Sequence, residues 1–205
     1  MGRLFTIGYS GQDMRSFIGL LSANRVDVVC DVRSTPYSNY KPDFSRGPFR
    51  RHLNIAGMKY VFLGDELGAR PKDRSCYVAG QATYDRIAKS DFFAKGLARL
   101  RSGVEQLNLA LVCSESDPIE CHRAVLICRN LNDLRSRIVH IHSDGSLECQ
   151  GSLDERLVSK HETAPPPLLR NPNLWDSAVS AAYIKQADAI AYRERFPVVD
   201  SENIS

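Results

Sequence analysis

Long apolar runs are missing from this chain: nowhere do its 205 residues approach the roughly 18 consecutive apolar side chains of a membrane-spanning helix. Its opening, Met1-Gly-Arg-Leu-Phe-Thr-Ile-Gly8, also has no secretory h-region. The expectation is a cytoplasmic protein without a membrane partner. Excess charge is missing too. Lys and Arg number 27 against 24 Asp and Glu, a net charge of +3. No general polyanion-binding surface is implied, and nucleic-acid binding has to be argued from particular residues. Close cysteine pairs are absent as well. The six cysteines (Cys30, Cys76, Cys113, Cys121, Cys128 and Cys149) include no C-x2-C pair, and with no secretion signal they read as reduced thiols rather than a disulfide framework. A metal set would have to be gathered from Cys113, Cys121 and His122 with Cys76 or His140. Lacking a close pair, the sequence assigns no metal ligand and no cofactor. A phosphatase-type loop, with Arg five residues beyond Cys, is also absent, because Cys113 and Arg123 are twice too far apart. No internal repeat is present.

What the chain does have is an alternation of strand-like and helix-like periodicity. Leu4–Ile7, Val26–Val32, Met58–Leu63, Leu107–Cys113 and Arg137–His142 read as strands. Met14, Phe17, Ile18 and Leu21 recur at helical spacing. A short helix is expected near Gly47–Ala56, one or two between Tyr84 and Leu100, and one over Pro118–Leu134. Ser143-Asp-Gly-Ser146 has turn chemistry before Leu147-Glu-Cys149. This predicts an α/β fold with three layers: a mostly parallel five-stranded sheet, helices on both faces, and a C-terminal helical tail. Residues 1–160 would form the core domain and 161–205 a Pro-rich linker followed by a helix. Ala164-Pro-Pro-Pro167 cannot continue a helix. Trp175, Val179, Ala182, Tyr183 and Ile190 give the tail an apolar face to dock on the core or on a partner subunit, so a homo-oligomer is one option.

Chemistry concentrates where the fourth strand ends, at Cys113-Ser-Glu115-Ser-Asp117-Pro118-Ile-Glu120-Cys121-His122-Arg123. Ligands of parallel sheets bind beyond the carboxyl ends of the strands. Asp117, Pro118 and Glu120 have the pattern of a helix start, in which Asp117 caps the N-terminus. Cys128 reads as a core residue. Cys121 shares its face but sits beside His122 and Arg123, which favours a thiolate. The first two strand ends add Thr6, Tyr9 and Ser10, then Asp31 and Arg33.

In order along the chain stand Thr6-Ile-Gly8-Tyr9-Ser10, Asp31-Val-Arg33-Ser-Thr-Pro36-Tyr-Ser38, Leu63-Gly-Asp-Glu66-Leu-Gly68, Cys113-Ser-Glu115, Cys121-His122-Arg123 and Val139-His140-Ile141. Together they resemble the signature of the family catalogued as domain of unknown function 488, over about residues 3–145. The resemblance implies a compact α/β domain with polar motifs at its strand ends. It carries functional positions onto Tyr9, Ser10, Asp31, Arg33, Pro36, Glu66, Cys113, Glu115, Cys121, His122 and Arg123. Ala69 stands where the family pattern favours a second glycine.

Three functional classes follow. The first is an enzyme, a hydrolase or transferase, acting on a small anionic ligand that is nucleotide-like or otherwise phosphate-bearing. In it Glu115 or Asp31 serves as general acid/base, His122 as a second proton-transfer group, and Cys113 or Cys121 as a nucleophile in a covalent variant. Arg33 and Arg123 would grip anionic oxygens, and Tyr9, Ser10 and Glu66 would complete substrate binding. The second is a nucleic-acid-binding module using the aromatic and basic loop 37–52, where Tyr37, Tyr40, Lys41, Phe44, Arg46, Phe49, Arg50, Arg51 and His52 interleave rings with charge. The third is a ligand sensor or interaction domain without turnover. It is favoured if Glu115 and Asp31 are both locked in ion pairs with Arg33 and Arg123.

Overall fold

The computed structural model describes residues 2–166 and 171–194. Of the expected linker and tail, residues 167–170 and 195–205 lie outside the described residues. In chain order the elements are β1 (Leu4–Gly8), α1 (Met14–Ala23), β2 (Val28–Asp31), α2 (Arg46–Ile55), β3 (Lys59–Phe62), α3 (Gly64–Leu67), β4 (Tyr77–Val78), β5 (Gln81–Ala82), α4 (Tyr84–Ala88) and α5 (Asp91–Val104). They continue with β6 (Leu109–Cys113), β7 (Ile138–Ile141), β8 (Leu147–Cys149), α6 (Gln150–Lys160) and α7 (Pro172–Ile190).

The main sheet has six strands in the order β3-β2-β6-β1-β7-β8. Every pairing is parallel except β7 with β8. The prediction of five strands is therefore one short. Leu147–Cys149 does not stop at the turn but folds back on β7, and the turn is made by Gly145 at φ +87 and by Asp144, whose Oδ1 accepts from the Ser146 amide at 2.9 Å. All residues of β1, β2 and β6 are buried, as expected of parallel strands covered on both faces.

Alternation along the strands divides the core in two. Phe5, Ile7, Val29, Ala110 and Val112 pack with Phe17 and Leu21 of α1 and with Phe49 and Leu53 of α2. On the other face Leu4, Cys30, Leu109 and Leu111 meet Leu97 and Leu100 of α5, Leu153 and Leu157 of α6, and Ala182 and Tyr183 of α7. Trp175 and Val179 lie partly buried against the same cluster. Among the described residues no helix is long and apolar enough to cross a membrane.

The largest local departure from expectation lies in Pro118–Leu134. One continuous helix was expected there. Instead Pro118–Glu120 makes a single 3-10 turn, and Cys121 is extended at φ -135 and ψ 140. Arg123–Ile127 then forms a π-helical turn, and 3-10 turns follow it. Such wide turns are rare and recur at functional sites. The break at Cys121 turns its thiol back toward the end of β6, a position that a regular helix would not give it.

Candidate functional site

Three adjacent strand ends build the site. Gly8 pairs with Cys113, and Asp31 with Val112, so β1, β2 and β6 finish side by side. The ladder runs on past the strands, with the Tyr9 amide donating to the Cys113 carbonyl (3.2 Å) and the Ser10 amide to the Ser114 carbonyl (2.9 Å). The Ser114 hydroxyl donates to the Tyr9 hydroxyl oxygen at 3.0 Å. Above these ends opens a cleft of about 410 Å³, lined among others by Arg33, Arg70, Cys113, Glu115, Cys121 and His122.

At its floor two thiols, an imidazole and a carboxylate meet. Glu115 Oε2 lies 3.0 Å from Cys113 Sγ and 3.1 Å from Cys121 Sγ. His122 Nδ1 is 3.7 Å from each sulfur. His122 Nε2 is 3.1 Å from the Val32 carbonyl. A carbonyl only accepts, so Nε2 carries the proton, and in the neutral ring Nδ1 presents a lone pair to the sulfurs. Cys113, Cys121 and His122 are all buried.

Charge is distributed unevenly here. Burial pushes the Cys121 thiol up, but the Cys113 hydrogen bond and the Arg123 and His122 charges outweigh it and hold it well below the usual thiol range. Cys113 is driven well above that range by its bond to Cys121 and by burial. His122 is raised: burial opposes its charge, and the Cys121 sulfur more than compensates. Glu115 is raised by desolvation and then by Cys121. Glu115 as a residue is exposed, so solvent screening trims that push. Of the two thiols, Cys121 is the one shifted toward the thiolate form, beside His122.

Asp31 and Arg33 form a buried pair. Arg33 Nε donates to Asp31 Oδ1 (2.8 Å) and Nη2 to Oδ2 (2.6 Å), while the Tyr60 hydroxyl donates to Oδ2 (2.8 Å). With both oxygens engaged and no exposure, Asp31 orients Arg33 and is not available as a general base. Arg33 is 5 % exposed, lies 5.1 Å over the Tyr9 ring, and its Nη1 has no partner among the described residues.

Arg123 faces inward rather than into the cleft, contrary to its expected role in substrate binding. It is fully buried. Nη1 donates to the Glu115 carbonyl (2.6 Å), Nη2 to the Ser116 carbonyl (2.9 Å) and Nε to Thr6 Oγ1 (3.3 Å). Its guanidinium holds the loop that carries Glu115. Glu66 is also away from the cleft, paired with Arg99 of α5. Tyr9 is buried and stacked on Phe44 with ring centres 4.5 Å apart. Ser10 is exposed, and its amide is engaged in the extended ladder. Asp117 does cap the short turn, accepting from the Ile119 amide at 3.0 Å, and both its oxygens take Arg156 at 2.9 Å.

Behind Arg123 a directed chain of hydrogen bonds crosses the core. The Thr6 hydroxyl meets His140 Nδ1 (2.8 Å), His140 Nε2 meets Gln150 Oε1 (3.2 Å), and Gln150 Nε2 donates to Asp154 (3.1 Å) and Tyr183 (2.7 Å). Burial, then Arg123, lowers His140 to about 3. The ring stays neutral when folded and charges near its ordinary 6.5 when unfolded. Its contribution is therefore complete above that value and is lost as pH falls toward 3. In His140→Gln, the loss of unfolding free energy between about pH 6 and pH 4 should be shallower than in the wild type by up to about 1.4 kcal/mol per unit. Urea titrations across that range check it, and parallel slopes would show that His140 is not held neutral.

The aromatic and basic stretch 37–52 divides into two parts. Phe44 and Phe49 enter the core, Arg46–Ile55 forms the short helix expected near Gly47–Ala56, and Tyr37 and Tyr40 remain exposed, the latter 98 %. A continuous stacking platform does not form. Two cleft residues went unrecognised in the sequence. Arg70 lies in a stretch that reads only as irregular, and Tyr192 follows α7. The two stack at 4.4 Å. Tyr192 is held there because its carbonyl accepts from the Ala82 amide at 2.9 Å, a pairing that no local pattern announces.

The family model for the domain of unknown function DUF488 matches residues 13–129. The chain belongs to the DUF488 family. The matched part of this DUF488 protein runs from the start of α1 past the π-helical turn, so it includes Asp31, Arg33, Cys113, Glu115, Cys121, His122 and Arg123 but neither β1 nor β7. Searches of the curated proteins and of the solved structures find no match.

Proposed function

We propose that this DUF488 protein is an enzyme, a hydrolase or transferase, that acts on a nucleotide-like or other phosphate-bearing substrate in the rim cleft. The observation that carries this reading is the unpartnered Nη1 of Arg33. A buried guanidinium whose Nε–Nη2 edge is taken by Asp31 keeps its Nη1 donors for an anion that reaches into the cleft floor, and its orientation is already fixed, which lowers the cost of binding. Arg70 adds positive charge at the mouth. Tyr37 and Tyr192, both lining the cleft, offer flat faces to a base or sugar. Cys113, Glu115, Cys121 and His122 are the groups nearest such a ligand. Among the described residues the Glu115 carboxylate is in no ion pair, so the condition for a purely structural ion network is met at Asp31 alone.

Calorimetric titration of the full chain with a nucleoside monophosphate, a sugar phosphate and inorganic phosphate tests the anion site. At a hundred times its dissociation constant the right ligand raises stability by roughly 2.7 kcal/mol. Arg70→Ala should weaken that ligand at least fivefold while leaving the stability of the free protein within about 0.5 kcal/mol. Arg33→Lys, which keeps the charge but loses the fork, should weaken it further. If no phosphate-bearing compound binds, or both variants bind as the wild type does, the reading is wrong.

A further inference from the structure

We propose that Cys113, Cys121 and His122 form a binding site for one divalent ion of the zinc class, with the fourth coordination position, beside Glu115, open to the cleft. The three donor atoms all lie within 4.8 Å of one another. Zinc bonds of about 2.3 Å to sulfur and 2.0–2.1 Å to nitrogen make the sulfur–nitrogen edge of a tetrahedron roughly 3.5 Å long. Both such edges here are 3.7 Å, so an ion enters with adjustments of a few tenths of an ångström.

The surroundings meet the other requirements of such a site. A ligating imidazole is normally fixed by a hydrogen bond from its far nitrogen. His122 has that bond, to the Val32 carbonyl, and the Val32 amide is itself tied to the Val112 carbonyl at 3.2 Å. Two sulfurs and one imidazole select zinc, cobalt or a similar borderline ion over magnesium or calcium. Three protein ligands plus a free position is the arrangement of catalytic rather than purely structural zinc. Glu115 Oε2, within 3.1 Å of both sulfurs, flanks the site on its sulfur side and lies outside the set of mutually close donors. A carboxylate there can accept a proton from a water bound at the open position. Cys113 and Cys121 are eight residues apart, outside the close pairs that advertise zinc sites, and the break in the helix at Cys121 is what closes the gap.

Metal binding stands independently of the proposed function. Only its consequence, that the open position would face a phosphate oxygen held by Arg33, rests on that reading.

Cobalt(II) titration of the reduced, chelator-treated full chain tests the site, with thiolate-to-cobalt charge-transfer absorption as the readout. One cobalt per chain should bind with the intensity of two thiolates, and zinc should displace it. Cys113→Ser and Cys121→Ser should each lose about half the band and weaken binding at least tenfold, since loss of even an outer partner of a ligand costs about 10–100-fold. Cys149→Ser, at an exposed thiol outside the cluster, should match the wild type. Arg70→Ala should also bind cobalt normally, so failure of the anion site and failure of the metal site are separable. Absence of a charge-transfer band in folded wild-type protein overturns the proposal, whether or not the serine variants fold. So does a band unchanged in Cys113→Ser and Cys121→Ser, or a Cys113–Cys121 disulfide that persists in reductant and excludes the ion.

Discussion

Arg123→Ala should cost this protein on the order of 3–5 kcal/mol, through acceptors left unmet and the cavity a buried arginine leaves. That is a fall in melting temperature on the order of 10 °C for a chain of this size. The reason is the destination of its donors. Two part-buried carbonyls of the 115–116 loop and the buried Thr6 hydroxyl lose the guanidinium that binds them, and an unmet acceptor costs about 1–3 kcal/mol where it is fully buried. The cavity left by a fully buried Arg adds to this. Without the clamp Glu115 and Cys113 drift relative to Cys121, and cobalt binding should fall with stability. Guanidinium unfolding at neutral pH decides the matter. A variant as stable as the wild type, deficient only toward an anionic ligand, would restore Arg123 to the substrate-binding role first expected of it.

An effect of similar size is expected from Gly8→Ala, on the order of 4 kcal/mol, the upper end for single substitutions. A methyl at Gly8 would lie 1.7 Å from the Glu115 carbonyl oxygen and 2.6 Å from its carbon. Neither side yields easily. Gly8 is in the β1 ladder opposite Cys113, and the Glu115 carbonyl is held by Arg123. The loop must move outward, taking Glu115 with it, so metal affinity should drop with stability. Gly19→Ala is the control. It sits in α1 with nothing within 4 Å of the new methyl, and it should stabilise by about 0.5–1 kcal/mol. Differential scanning calorimetry of the two variants separates close approach from a general glycine effect, and equal melting temperatures would refute the packing argument.

Much of the fold could be read because buried parallel strands announce themselves as apolar runs. Leu4–Ile7, Val26–Val32 and Leu107–Cys113 carry that signal, and they are the strands whose ends make the site. The sixth strand could not be read in the same way. Three residues, Leu147–Cys149, have no periodicity to measure, and their pairing depends on the turn before them. Helix α6 was equally silent, since its buried face includes Gln150 and Asp154, which look like surface residues until their partners across the core are known. Pro118–Leu134 failed for the opposite reason. Its apolar density is helical, but the extended conformation at Cys121 goes with the Cys121–Glu115 and His122–Val32 contacts, which no helical pattern encodes. At the site, residue type identified the reacting groups and misjudged their direction. Nothing in the letters Arg33 and Arg123 tells which one meets a carboxylate and keeps a free donor, and which one spends its donors on carbonyls. Arg70 and Tyr192, joined only in space, left no trace.

The π-helical turn at Arg123–Ile127 makes chain length itself a constraint on the site. A helix advances about 100° per residue, and the wide turn accommodates one residue more than an α-helix would over the same rise. It acts as a phase shifter: Cys121, His122 and Arg123 are set at one angle, and the apolar residues from Cys128 to Leu134 at another. Deleting a single residue from the turn would allow an ordinary helix, better bonded than the present one, and would rotate the thiol, imidazole and guanidinium out of alignment with Val32, Glu115 and Thr6. A chain that keeps every functional letter of this motif but is one residue shorter would fold its helix more regularly and lose its site.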